Sequence, residues 1–165
     1  MKAVVVYESY WGNTASVARA IAEGLGPGAR AMSTADAKDE ALAGADLIVA
    51  GSPIFAFALP TEKSRSDLAS RPGKAPSPPD LCHPSMRSWL EALPKGSCCA
   101  AAFETGFKLS PSWAAQKILK MLEDRGYKPI AKKERFLVKG TYGPLRGGEL
   151  DRAKAWGARL ANSLK

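Results

Sequence analysis

The stretch Val4-Val5-Val6-Tyr7-Glu8-Ser9-Tyr10-Trp11-Gly12-Asn13-Thr14, with its continuation from Ala15 to Leu25, decides the fold of this chain. Its branched apolar opening reads as a strand covered on both faces, because β-branched side chains suit a pleated, buried surface. Val17, Ile21 and Leu25 then recur at i, i+4 and i+8, with Ala18 and Ala22 beside them, which is the stripe of an amphipathic helix. Between strand and helix lie two hydroxyl residues, a Gly, an Asn and a Thr. This order brings unpaired backbone N–H groups and the positive helix end to one point, where a phosphate fits.

The spelling of the loop narrows the guest. It has no Gly-Lys-Ser/Thr, so no lysine is placed to hold β and γ phosphates. It has no Gly-x-Gly-x-x-Gly, so a dinucleotide pyrophosphate finds no close backbone approach. What remains is a site for one phosphate monoester, cradled by Ser9, Asn13 and Thr14. The competing role for Asn13 or Thr14 is simply to cap the helix.

Outward from this stretch, strands and helices alternate. Ala29–Ser33 reads as a weak lateral strand, Asp36–Leu42 as a short helix and Ala45–Ala50 as a third strand, which Pro53 ends. Residues 61–84 are polar and Pro-rich and read as a mobile excursion, with His83 a surface loop residue. Met86, Trp89, Leu90 and Leu93 mark a helix capped by Ser85, and Ser97–Phe103 marks a fourth strand. Ser110-Pro111 reads as the cap and first residue of the next helix. Tyr127–Lys139 reads as a fifth strand, and Leu150 to Leu164 carry the stripe of a last helix. Such alternation predicts an α/β fold, a doubly wound parallel sheet with right-handed crossovers. The order 2-1-3-4-5 is the one that gathers the loops after strands one, three and four around a mononucleotide.

Three stretches resemble the flavodoxin family. Val5-Val6-Tyr7-x-Ser9-x-x-Gly12-x-Thr14-x-x-x-Ala18-x-x-Ile21 is similar to the flavodoxin signature at every specified position. Ala45-Asp46-Leu47-Ile48-Val49-Ala50-Gly51-Ser52-Pro53 and Ala101-Ala102-Phe103-Glu104-Thr105-Gly106 follow in the family's order. The resemblance implies one flavodoxin-like domain over 1–165, a five-stranded sheet and FMN as cofactor. It implies that Ser9, Tyr10, Trp11, Gly12, Asn13 and Thr14 hold the phosphate. Pro53, Ile54, Phe55, Ala56 and Phe57 would cover one flavin face, and Phe103, Glu104, Thr105, Gly106 and Phe107 would approach the other. No side chain stands out as a catalytic base.

Departures from the family pattern are specific. Trp11 stands where flavodoxins usually have another small hydroxyl or amide residue. Phe55 or Phe57, and Phe103 or Phe107, replace the usual Trp and Tyr, so they stack without hydrogen-bonding. In flavodoxins a Gly-containing peptide of the second loop turns on one-electron reduction, yet Ile54 to Leu59 contain no Gly. The residue that bears such a turn of the peptide here is expected to be Ala56 or Phe57, at an extra cost because each carries a Cβ. The function implied is an FMN-binding redox protein: electron transfer, or flavin-dependent reduction of a quinone-like or porphyrin-like substrate. The alternative is a flavodoxin-like module that has lost strong FMN binding and acts as a partner-binding protein. A phosphoacceptor receiver is excluded, since strand three ends in Gly51-Ser52-Pro53 without a carboxylate.

Composition bounds the rest. Hydrophobic content of 45% and charged content of 24% are those of an ordinary globular domain. No apolar run approaches the roughly 20 residues of a membrane span, and no signal peptide is read at the start, so a cytoplasmic protein is expected. Three cysteines make no disulfide framework, and Cys98 and Cys99 should point to opposite faces of a strand. A lone His leaves no pair for a metal. The net charge of +8 is uneven: residues 1–106 hold 10 Lys/Arg against 11 Asp/Glu, and residues 107–165 hold 14 against 5. That basic third reads as solvated surface or as a docking face for an acidic redox partner or polyanion, and nucleic acid is not expected.

Overall fold

The computed structural model describes residues 1–70 and 73–165. Its sheet is parallel. The strands are β1 (Ala3–Tyr7), β2 (Ala29–Ser33), β3 (Leu47–Pro53), β4 (Cys99–Gly106), β5 (Lys128–Pro129) and β6 (Glu134–Leu137). They run in the order β2-β1-β3-β4-β5, and β6 also pairs with β4. The expected order holds, with a sixth strand where five were expected. The single strand expected over Tyr127–Lys139 is split: β5 pairs with Cys99 and Ala100, β6 with Phe103 to Gly106. The Lys128 and Ile130 N–H groups still donate to the Cys98 and Ala100 carbonyls, so Pro129 turns its missing donor to the open edge; the pairing lapses after Ile130 and resumes at Glu134.

Helices α1 (Asn13–Leu25) and α6 (Glu149–Asn162) cover one face of the sheet; α2 (Asp39–Leu42), α4 (Met86–Ala92) and α5 (Ala114–Glu123) cover the other. The period of two in β1 divides its residues between the layers. Ala3 and Val5 pack with Val17, Ile21 and Trp156, and Val4 and Val6 with Leu90, Ile118 and Leu122. Cys98 and Cys99 fall on opposite faces, as expected, and burial pushes the Cys98 thiol up. α1 and α6 cross closely because Gly24 and Gly157 face each other's backbone. A Cβ on Gly157 would sit 2.2 Å from the Ile21 carbonyl oxygen.

Several local expectations need correction. The helix expected from Asp36 begins only at Asp39, since Asp36 and Ala37 close a turn on the Ser33 carbonyl. β3 continues through Pro53, whose partner is Thr105; Pro suits this last position because the next ladder donor is the Ile54 N–H, to Thr105 O at 3.0 Å. α5 begins at Ala114 rather than at Ser110-Pro111. The 61–84 excursion is not free: it contains α3 (Glu62–Ser70), and His83 is buried. Arg71 and Pro72 of that excursion lie outside the described residues.

Candidate functional site

At the carboxyl ends of β1, β3 and β4 the loops that follow them enclose an open cleft of about 210 Å³. This is the point where the strand order reverses, the expected place for a ligand in such a sheet. Of the residues expected there, Ser9, Tyr10, Trp11, Asn13 and Thr14 line it from the first loop. Pro53, Ile54, Phe55, Ala56 and Phe57 line it from the second, and Thr105, Gly106 and Phe107 from the third. Gly12 shapes the loop without lining the cleft. Ser110 of the third loop also lines it, as do Val138 and Thr141; nothing in the local sequence marks the last two, because the loop after β6 reaches the site through tertiary folding alone.

Two expected residues lie elsewhere. Phe103 is fully buried on the α1/α6 face, edge-on to Phe136 and Trp156. Glu104 is buried below the third loop and faces α5. Its Oε2 accepts from Ser112 Oγ at 2.8 Å and from the Ala115 N–H at 2.9 Å, so it caps α5 from the sheet. Its Oε1 accepts from Arg135 Nε at 2.7 Å. Arg135 Nη1 in turn donates to the carbonyls of Phe107 (3.0 Å) and Ser110 (2.6 Å), fixing the third loop.

The first loop is built for an anion. Gly12 is the N-cap of α1 with φ 89°, and no side chain caps the helix. Its first helical bond is Ser16 N–H to Gly12 O at 2.9 Å, so the N–H groups of Asn13, Thr14 and Ala15 precede the ladder. The three polar side chains are each oriented by the protein. Ser9 Oγ accepts from the Gly12 N–H at 3.2 Å and keeps its own proton for another partner. Asn13 Nδ2 donates to Tyr142 O at 3.2 Å, and an amide nitrogen has a second N–H. Thr14 Oγ1 and Thr105 Oγ1 are 2.8 Å apart. Trp11 turns its Nε1–H away, to Ser77 O at 3.0 Å, and packs edge-on to Tyr142 at 4.8 Å between centroids.

Below this loop lies a buried ion pair that the sequence reading did not find. Glu8 is fully buried, and its carboxylate accepts from Arg65 Nη1 (3.1 Å), Tyr10 OH (2.8 Å) and the Met86 N–H (2.8 Å). Arg65 also donates to Leu81 O at 3.2 Å and His83 O at 2.5 Å. The segment so gathered is tied back to the first loop. The Asp80 N–H reaches Tyr10 O at 2.9 Å, and His83 Nε2 lies 3.1 Å from Ser9 O. Burial, and then the Glu8 charge and hydrogen bond, push the Tyr10 hydroxyl far above the ordinary tyrosine range.

The second loop closes as a two-residue hairpin. Phe55 and Ala58 exchange both backbone bonds, at 3.1 and 3.0 Å, and Ala56 and Phe57 take φ 47° and 67°. They are the non-Gly residues with positive φ among the described ones. Two positive φ values are what a type I′ turn requires, and residues with a Cβ meet them at a cost.

No family model matches the chain, and no curated relative matches it in sequence. Solved structures do. A flavodoxin from the domain Archaea is 23% identical, with 99% of each chain covered and a TM-score of 0.68. A flavodoxin, WrbA-like protein from Agrobacterium tumefaciens is 22% identical, covering 99% of this chain and 96% of that one, with a TM-score of 0.61. The Flv1 flavodiiron core of Synechocystis is 20% identical with a TM-score of 0.62, and the match spans 36% of that longer chain. The fold of this protein is therefore the flavodoxin fold. Among the described residues no helix is long and apolar enough to cross a membrane, and no cluster of His, Cys, Asp and Glu could hold a metal ion.

Proposed function

We propose that this chain is an FMN-binding redox protein that transfers electrons, or reduces a quinone-like or porphyrin-like acceptor. The observation that carries the reading is the start of α1, which has a left-handed Gly12 and no side-chain cap, and opens into a cleft with aromatic walls. The residues present fit the mononucleotide. Three helix N–H groups, the retained donors of Ser9 and Asn13, and the one hydroxyl proton that the Thr14–Thr105 pair leaves free suit one phosphate dianion. Phe55 and Phe57 on one side and Phe107 on the other present apolar rings to a flat ring system. When bound, the flavin supplies the electron and hydride chemistry. The protein orients the phosphate, and its aromatic walls exclude water from the ring. Glu8 and Glu104 hold the loops from below and do not reach the cleft.

A second reading is favoured by Trp11, which commits its one donor to Ser77 and offers none to a phosphate. In that reading the chain is a flavodoxin-like module that binds FMN weakly and acts through partners alone. The absorbance spectrum of the purified protein, followed by titration of stripped protein into fluorescent FMN, separates the two. Flavin bands and stoichiometric quenching are the expected result. A colourless protein that leaves FMN fluorescence unchanged would replace the first reading by the second.

A further inference from the structure

Among the described residues six large apolar side chains are exposed, and four of them form one group at the mouth of the cleft. Leu109 is 91% exposed, Trp113 61%, Phe57 55% and Phe107 43%. Ser110 N–H closes a turn on Phe107 O at 3.4 Å with Leu109 at its tip, and Trp113 N–H reaches Phe57 O at 3.3 Å. The second and third loops thus present one apolar promontory. A contiguous exposed group of this kind marks an interaction surface.

On the third-loop side the exposed charges beside it are lysines. Lys108 lies within the turn, Lys133 Nζ is bonded to Ser112 O at 3.0 Å with the exposed Lys132 beside it, and Lys117 follows Trp113 by one helical turn. No Asp or Glu occurs between Glu104 and Glu123, and Glu104 is buried. Arg135, half-buried beneath the third loop, commits its Nε to Glu104 and its Nη1 to two loop carbonyls.

From this arrangement we infer that the mouth of the cleft docks on an anionic lipid bilayer, with Leu109, Phe107, Trp113 and Phe57 entering the interface and the lysines meeting the headgroups. Protein interfaces are depleted of lysine and favour arginine, whereas Lys108, Lys117, Lys132 and Lys133 are the exposed cations on this side of the promontory. Lysine stems lie along apolar surface while their ammonium groups reach anionic headgroups. Tryptophan likewise suits a boundary with one apolar and one wet side. A protruding leucine suits penetration of acyl chains better than contact with a flat protein face. The inference does not depend on what the cleft binds, and it directs the cleft toward lipid-soluble molecules.

The full chain should be sedimented with vesicles of phosphatidylcholine alone and of phosphatidylcholine mixed with phosphatidylglycerol. Binding is expected to the mixed vesicles, with a shift of Trp113 fluorescence to shorter wavelength and release by added salt. Lys108→Gln and Lys133→Gln should each lower the partition coefficient about fivefold. Leu109→Glu should lower it about tenfold or more. Lys154→Gln, on the remote helix α6, should leave it unchanged; all these sites are exposed, and circular dichroism checks the fold. Failure to bind mixed vesicles overturns the inference, as does capture of an acidic protein without vesicle binding. Equal losses from Lys154→Gln and Lys108→Gln, with none from Leu109→Glu, would show adsorption by net charge alone and overturn it too.

Discussion

Thr14 and Thr105 share one hydrogen bond, and only one of their two hydroxyl protons can lie in it. If Thr105 donates, the Thr14 proton is free to point into the cleft, so Thr105 sets the orientation of its neighbour. Thr14→Val and Ser9→Ala should each weaken FMN binding by about 1.5–3 kcal/mol, the range for donors to a charged group. Thr105→Val should weaken it in the same direction; parent-like binding by both Ser9→Ala and Thr14→Val in a fluorescence titration would place the phosphate elsewhere. Beneath them, Arg65 is the one cationic partner of Glu8 among the described residues. Arg65→Met should destabilise the fold by about 3–5 kcal/mol, because it leaves an uncompensated buried carboxylate. Denaturant unfolding reads that change, and a loss within error of zero would mean that the pair is not closed in solution. Tyr10 supplies a pH test of the same pocket. Its folded pKa is raised, so the unfolded chain releases this proton first, near pH ~10. The stabilisation is therefore complete below that pH and is lost as pH rises. Tyr10→Phe should flatten the alkaline fall of stability, and an unchanged slope would count against a buried, protonated Tyr10.

At the scale of elements, the hairpin at Phe55–Ala58 holds the strain and the 61–84 segment holds the surprise. A Cβ in the left-handed region costs about 1–2 kcal/mol, and glycine gives part of that back through its freer unfolded chain. Ala56→Gly should thus stabilise the protein by up to about 1 kcal/mol. Thermal denaturation checks this, and a lowered midpoint would show that the turn does not need positive φ at this position. The turn itself could not be read from the sequence, because Ile54 to Leu59 contain no Gly, Asn or Asp to mark positive φ. β1, α1 and the Ser85 cap of α4 could be read, since their signals are local: a branched run, a stripe and a hydroxyl accepting from Ser88 N. The start of α5 could not. Its capping oxygen comes from Glu104 across eleven residues of chain, while Ser110-Pro111 imitates a local start. α3 was hidden for a related reason. It carries almost no apolar stripe, and what fixes it is one buried guanidinium reaching 57 residues back to Glu8.

For the whole molecule, the same division holds between what periodicity encodes and what only the folded chain assembles. The sheet order and most of the cleft lining were legible because each cleft loop from β1, β3 and β4 follows directly from a recognisable strand. Phe103 and Glu104 were misplaced because side chains alternate along β4: Phe103 turns into the α1/α6 layer and Glu104 toward α5, while Thr105 and Gly106 at the strand end reach the cleft. The charge reading placed the basic excess in the C-terminal third; it could not show that part of it rings an apolar promontory. Stability against acid is partly set in the same third. Burial pushes the Glu149 carboxyl up, but hydrogen bonds from Arg152 and the Leu137 N–H outweigh it and hold it below the ordinary glutamate value. Its contribution is present above pH ~4.3 and is lost as pH falls further. The stability difference between parent and Glu149→Gln should therefore narrow on acidification, and a constant difference would contradict the pairing. The Glu8–Arg65 pair has one more consequence, for where this chain can be shortened. By its composition the run between Thr61 and Pro84 invites deletion as an ornament. Removing it would strand a carboxylate at the end of the central strand pair and strip Ser9 and Tyr10 of the backbone that braces them. A trimmed gene would then encode not a smaller version of this protein but one whose first strand cannot be seated.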